Sequence, residues 1–144
     1  MENTTDFLEI KVDTEKKLLY GKWLRNVDNR EYKAGLRQLY QLIINHSISL
    51  WLQNSEHLQP RNAEDQKWAA EEFALLLSQS SMKQLAVVSP KATPHYAILC
   101  SMREKAYRIF GKTKQVELFE TNEAALKWLT PHLLFYRLPA ATIS

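Results

Sequence analysis

Apolar and polar positions alternate along residues 7–12 (Phe7, Leu8, Ile10 and Val12 against Glu9 and Lys11), and residues 17–23 form a second run of the same kind. The polar segment between them predicts a turn, so the two runs read as an antiparallel hairpin. Asp28 followed three residues later by Glu31 is the spacing of a capping box, which opens a helix with Tyr32, Leu36, Leu39 and Ile43 as its inner stripe. Gly35 interrupts that helix, and close packing against a neighbour accounts for a residue that is otherwise unfavourable there by about 1 kcal/mol.

Residues 48–54 (Ile-Ser-Leu-Trp-Leu-Gln-Asn) are apolar until their C-terminal end and have long helical patterns on both sides. They read as the central strand of a sheet buried on both faces. A loop over 55–61 precedes a helix to about residue 78, capped by Asn62 with Asp65 and carrying Ala69, Phe73, Leu76 and Leu77 inward. Residues 84–88 form a buried strand. Residues 95–109 form a helix with Leu99, Met102, Ala106 and Ile109 on one side, which Gly111 ends. Residues 115–119 form a strand placed at an edge, and Thr121 or Asn122 caps a last helix over 123–129 with Ala125, Trp128 and Leu129 facing inward. The order predicts an α/β fold, a mixed five-stranded sheet with four helices and right-handed crossovers.

The 144 residues fit a single domain over 1–144, with a core at about 7–130 and an apolar C-terminal tail over 131–144. A hydrophobic share of 45% with 24% charged residues is that of a folded chain and excludes intrinsic disorder. The acidic, polar start does not match a secretory signal, and no apolar run approaches the roughly 20 residues that span a bilayer. One cysteine, Cys100, excludes an internal disulfide, so the expectation is a cytoplasmic protein.

The net charge of +3 is unevenly spread: residues 81–114 hold seven basic side chains against Glu104 alone. Arg103, Lys105 and Arg108 form a candidate anion patch there, beside the plainer reading of a solvated helix face.

Buried parallel strands present function at their C-terminal ends, which directs attention to Gln53, Asn54 and Ser55. Trp51 and Trp68 flank this strand end, with Phe73 one turn further along, and together these six residues are the candidate ligand or partner pocket. A Ser55 nucleophile needs a base within about 3 Å, and nearby His57 has no evident carboxylate to orient it, so no catalytic residue is assigned. The four histidines lie in unrelated segments without metal-ligand spacing, and three dispersed glycines cannot build a phosphate loop. No metal or cofactor is therefore expected. The basic residues are concentrated away from the aromatics, which argues against nucleic acid.

Trp23, Tyr32 and Gly35, the segment 50–54, Asp65 with Trp68, the segment 85–88, and Phe119 through Glu123, Ala124 and Ala125 to Trp128 and Leu129 follow one another in a spacing that resembles the STAS-type fold of anti-sigma-factor antagonists. The resemblance is closer to its bacterial SpoIIAA-like branch and covers about residues 7–130. It implies a regulatory or partner-binding module without catalysis. In phosphorylatable antagonists the loop after the central strand carries an Asp-Ser-(Ser or Thr)-Gly type motif, whereas this chain has Gln53, Asn54, Ser55 and Glu56. The related CRAL-TRIO-like architecture implies an alternative, a carrier or sensor of a small apolar or lipid-like ligand. Beyond the resembling region, the apolar tail predicts a homodimer interface with Leu134, Phe135 and Leu138 contributing.

Overall fold

The structure, a computed structural model, describes residues 6–133 and 136–139. Strands β1 (Leu8–Asp13) and β2 (Leu18–Trp23) pair antiparallel, followed by β3 (Leu50–Asn54), β4 (Gln84–Val88) and β5 (Gln115–Phe119), all parallel to β2. The spatial order is the chain order, β1-β2-β3-β4-β5, which makes β3 the middle strand and β5 an edge, as expected. Helix α1 is Asn29–His46. Helix α2 comprises Ala63–Lys67, a π-helical turn at Trp68–Phe73, and Ala74–Ser78. Helix α3 is Pro94–Phe110, and α4 is Asn122–Leu129.

From β2 onward every step moves one strand in the same direction. Right-handed connections then place α1, α2 and α3 on one face of the sheet. Their buried residues form the larger core with Leu19, Trp23, Trp51 and Val116 from the strands. Leu18, Tyr20, Leu52, Ala86 and Val88 face the other way, under Ala125 and Leu129 of α4. Alternation along β3 therefore sends Trp51 and Leu52 into different cores.

The predicted caps form. The Asp28 carboxylate accepts from the Glu31 backbone while Glu31 reaches back to Asp28, Asn62 accepts from Asp65 N, and Thr121 from Ala124 N. Gly111 follows α3 with φ of 61°, a conformation that other residues rarely adopt. Gly35 packs on the Trp23 ring, where a Cβ would lie 2.6 Å from its nearest atom.

The expected stripe of α2 needs correction. The wide π turn adds a residue to the local repeat, so Asp65 and Ala70, five apart, are both buried along with Phe73, Ala74 and Leu77, while Leu76 is exposed. In the tail, Tyr136 and Leu138 pack on the second core, and the Tyr136 hydroxyl donates to Asp13 Oδ2 at 2.8 Å. Leu134 and Phe135 lie outside the described residues. Leu138, expected at a homodimer interface, packs on the second core of its own chain.

Candidate functional site

Between the sheet and helices α2 and α3 lies a cavity of about 110 Å³, lined from Trp51, Leu85 and Val116 near the starts of β3, β4 and β5 to Ser55 and His95 beyond the strand ends. Its walls are almost entirely apolar, with Trp51, Phe73, Leu99, Met102 and Val116 among them, but the polar side chains of Gln53, Ser55, His95 and Arg103 also reach it. Three of these residues carry buried nitrogen with no partner among the described residues: Gln53 Nε2, both ring nitrogens of His95, and Arg103 Nε. Such groups are costly to bury unpaired, roughly 1–3 kcal/mol apiece, so their presence in the lining of one cavity is informative.

Local structure explains how each is held. Gln53 stands opposite Gly21 across the β2–β3 ladder. A Cβ on Gly21 would fall 2.2 Å from Gln53 Oε1, so only glycine leaves room for the amide. Trp51, two residues earlier and hence on the same face, donates its indole N–H to that oxygen at 3.1 Å. With the oxygen end so occupied, the NH₂ end is left unpaired. His95 follows Pro94 in the first turn of α3, and it shares a helical stripe with Leu99, Met102 and Ala106 at four, seven and eleven residues on. It is only 1% exposed. Burial, reinforced by the positive charge of Arg61, lowers its pKa from 6.5 to about 4, so the imidazole is neutral near pH 7. Arg103, two turns beyond His95, places Nη1 3.4 Å from Glu117 and Nη2 3.4 Å from Glu104, with Nε buried behind them.

The loop that closes this end is fixed by a buried ion pair. Arg61 Nη2 lies 2.6 Å from Asp65 Oδ2, and Asp65 is fully buried. Arg61 also donates to the Val27 carbonyl at 2.8 Å and stacks 4.6 Å over the Tyr32 ring, while Asn29 donates to the other Asp65 oxygen. Both halves of the pair are thus saturated with partners, the condition under which a buried pair is tolerated.

Of the six residues predicted for the pocket, Trp51, Gln53, Ser55 and Phe73 line the cavity, whereas Asn54 and Trp68 do not. Asn54 has the opposite strand parity. It donates to Asn122 Oδ1 at 2.9 Å at the start of α4, and Asn122 in turn donates to the Tyr20 hydroxyl. Trp68 sits behind Phe73, stacked on it at 5.5 Å, with Lys33 and Arg37 over its own ring. Phe73 is the intermediary, meeting Trp51 edge-on at 6.2 Å. Ser55 is buried, while His57 stands exposed beside Glu56 at 3.8 Å.

The three residues of the candidate anion patch separate. Arg103 turns toward the cavity, while Lys105 and Arg108 share a groove with Glu71 and Glu72 of α2, so acids offset the charge there. Lys114, counted in the same basic segment, is buried, and its ammonium donates to the carbonyls of Ser80 (2.9 Å) and Met82 (2.5 Å). His95 was not predicted as a site residue. The signal for it was present: it lies on the apolar stripe of its own helix. Among the described residues no cluster of three His, Cys, Asp or Glu side chains could hold a metal ion, and no helix is long and apolar enough to cross a membrane.

No family model matches the sequence, and no curated protein matches it. Among solved structures the chain resembles an uncharacterized protein from the DUF3478 family with a SpoIIAA-like fold from Shewanella loihica PV-4. The likeness covers 85% of this chain and 94% of that one, with a TM-score of 0.56 and 15% sequence identity. The fold is SpoIIAA-like. The SpoIIAA-like layout expected from Trp23, Gly35 and the central strand is therefore present. Gln53, next to last in β3, is committed to Trp51 and the cavity wall.

Proposed function

We propose that this SpoIIAA-like domain is a non-enzymatic regulatory module that senses a small, largely apolar ligand held in the cavity over β3. The carrying observation is an otherwise apolar cavity whose lining includes Gln53, His95 and Arg103, each with a buried nitrogen that has no partner among the described residues. Apolar walls supply affinity and a few placed polar atoms supply orientation, the usual division of labour in ligand sites. The π turn of α2 forms part of the wall through Ala69, Ala70 and Phe73, and such turns are frequent at functional sites. A cytoplasmic setting belongs to the same proposal and rests on the single Cys100.

Xenon is a suitable first probe, since apolar cavities bind it and the cavity of about 110 Å³ is smaller than the roughly 150 Å³ that accepts benzene. A rise in melting temperature under xenon, lost in a Leu99→Trp variant that fills the space, supports the reading. A melting temperature indifferent both to xenon and to small apolar compounds extracted from cells overturns it.

A second reading, a partner-binding module, is favoured by Leu75 and Leu76, which are exposed side by side near the end of α2. Homodimerisation through the tail belongs to this reading, although Leu138 already packs on its own chain. Light scattering of the intact protein and of a chain ending at Pro131 tests it: a monomer mass for the intact protein rejects the dimer.

A further inference from the structure

The outer sides of α2 and α3 carry a second arrangement, distinct from the cavity. Glu71 and Glu72, in the π turn of α2, and Leu75, four residues after Glu71, share a groove with Lys105, Arg108 and Ile109 of α3. Phe73, Ala74, Met102 and Ala106 of the same helices line the cavity instead. The groove therefore has an acidic bank on one helix, a basic bank on the other, and one large apolar side chain from each. Leu75 is 56% exposed, more than any other large apolar side chain among the described residues. None of the four charged side chains belongs to an ion pair among the described residues, although opposite charges line one groove.

The segregation of charge by helix decides the partner. When a second copy docks face to face with its two-fold axis along the groove, the acidic bank of each copy lies over the basic bank of the other, and both contacts are satisfied at once. An axis across the groove stacks acid on acid and base on base, so the same pattern selects the orientation. We infer that the face formed by α2 and α3 is an isologous docking surface for a second copy of this chain, in which Glu71 and Glu72 pair with the basic bank of the other copy and Leu75 and Ile109 lose their exposure. Exposed ion pairs contribute little apiece, so the apolar residues supply the affinity and the charges supply the register. The inference rests on the partner-binding reading of the exposed leucines and names the partner. It does not depend on the cavity holding a ligand.

Light scattering and sedimentation of the full chain test this. The natural sequence is expected to be dimeric, with association weakened by salt. Two charge-reversed proteins are compared with it: Glu71→Lys with Glu72→Lys, and Lys105→Glu with Arg108→Glu. These positions are exposed or half-buried, so the changes are mild for folding, and unchanged melting curves verify it. Each reversal puts like charges on both contacts and is expected to weaken self-association about tenfold or more. An equimolar mixture of the two proteins restores opposite charges and is expected to regain the dimer mass. Dimers that persist in both reversed proteins, or a mixture no more associated than its components, overturn the groove and leave partner binding to another surface such as the tail. A monomer for the natural sequence overturns the second copy and leaves the exposed leucines to a different protein.

Discussion

Acidification should destabilise this protein through one histidine, and the size of the effect follows from its surroundings. His95 is 1% exposed, its two ring nitrogens have no partner among the described residues, and charging it places a cation close to Arg61. Folding therefore favours the neutral ring, and the pKa falls from 6.5 to about 4. Between these values the unfolded chain binds a proton that the folded chain does not, so stability decreases as pH falls through this window and is unaffected by His95 above it. At 1.36 kcal/mol per pH unit, the fall from 6.5 to about 4 amounts to about 3 kcal/mol by the lower limit. Other titrations overlap at the acid end, so the effect is read as a difference. Urea denaturation of the natural sequence and of His95→Leu at a series of pH values from 7.5 to about 4 isolates it. The natural sequence should lose about 3 kcal/mol more than the variant, most of it below about pH 6. Parallel loss in the two proteins refutes the reasoning, and so does an imidazole that titrates at or above 6.5 by NMR.

Three further outcomes test the packing around the site. Gly35→Ala, which would help an exposed helix by about 1 kcal/mol, should instead destabilise by about 1–3 kcal/mol because the new Cβ meets the Trp23 ring; a higher melting temperature contradicts the close approach. Asp65→Ala should cost about 3–5 kcal/mol by leaving Arg61 buried and unpaired, and the double change Asp65→Leu with Arg61→Met should cost less than either single change; additive losses in the double-mutant cycle reject that coupling. Trp51→Ala should cost about 3–5 kcal/mol from a ring 2% exposed and should free Gln53 from its indole partner; denaturation midpoints that barely move reject the burial.

The elements and their order were legible in the sequence because they are local. Capping pairs such as Asp28 with Glu31, and the helical stripe from Tyr32 to Ile43, are written in nearest-neighbour spacing, and the structure repeats them. The hairpin, the middle position of β3 and the helices on one face follow from that order together with the handedness of crossovers. The candidate site was only half legible. Trp51, Gln53 and Phe73 were found because a strand end after an apolar run announces itself. Asn54 was wrongly grouped with them, although strand alternation alone sends it to the opposite face. What required three dimensions was every relation between distant segments. The π turn that turns Leu76 outward, the burial of Asp65 against Arg61, and the presence of Gln53, His95 and Arg103 in the lining of one cavity depend on packing across elements. Periodicity tells which side of an element is inner, but not what stands opposite it. A polar residue on an inner stripe is an ion-pair member, a core residue or a ligand contact according to its partner, and for His95 and Asp65 only the tertiary structure decides between them.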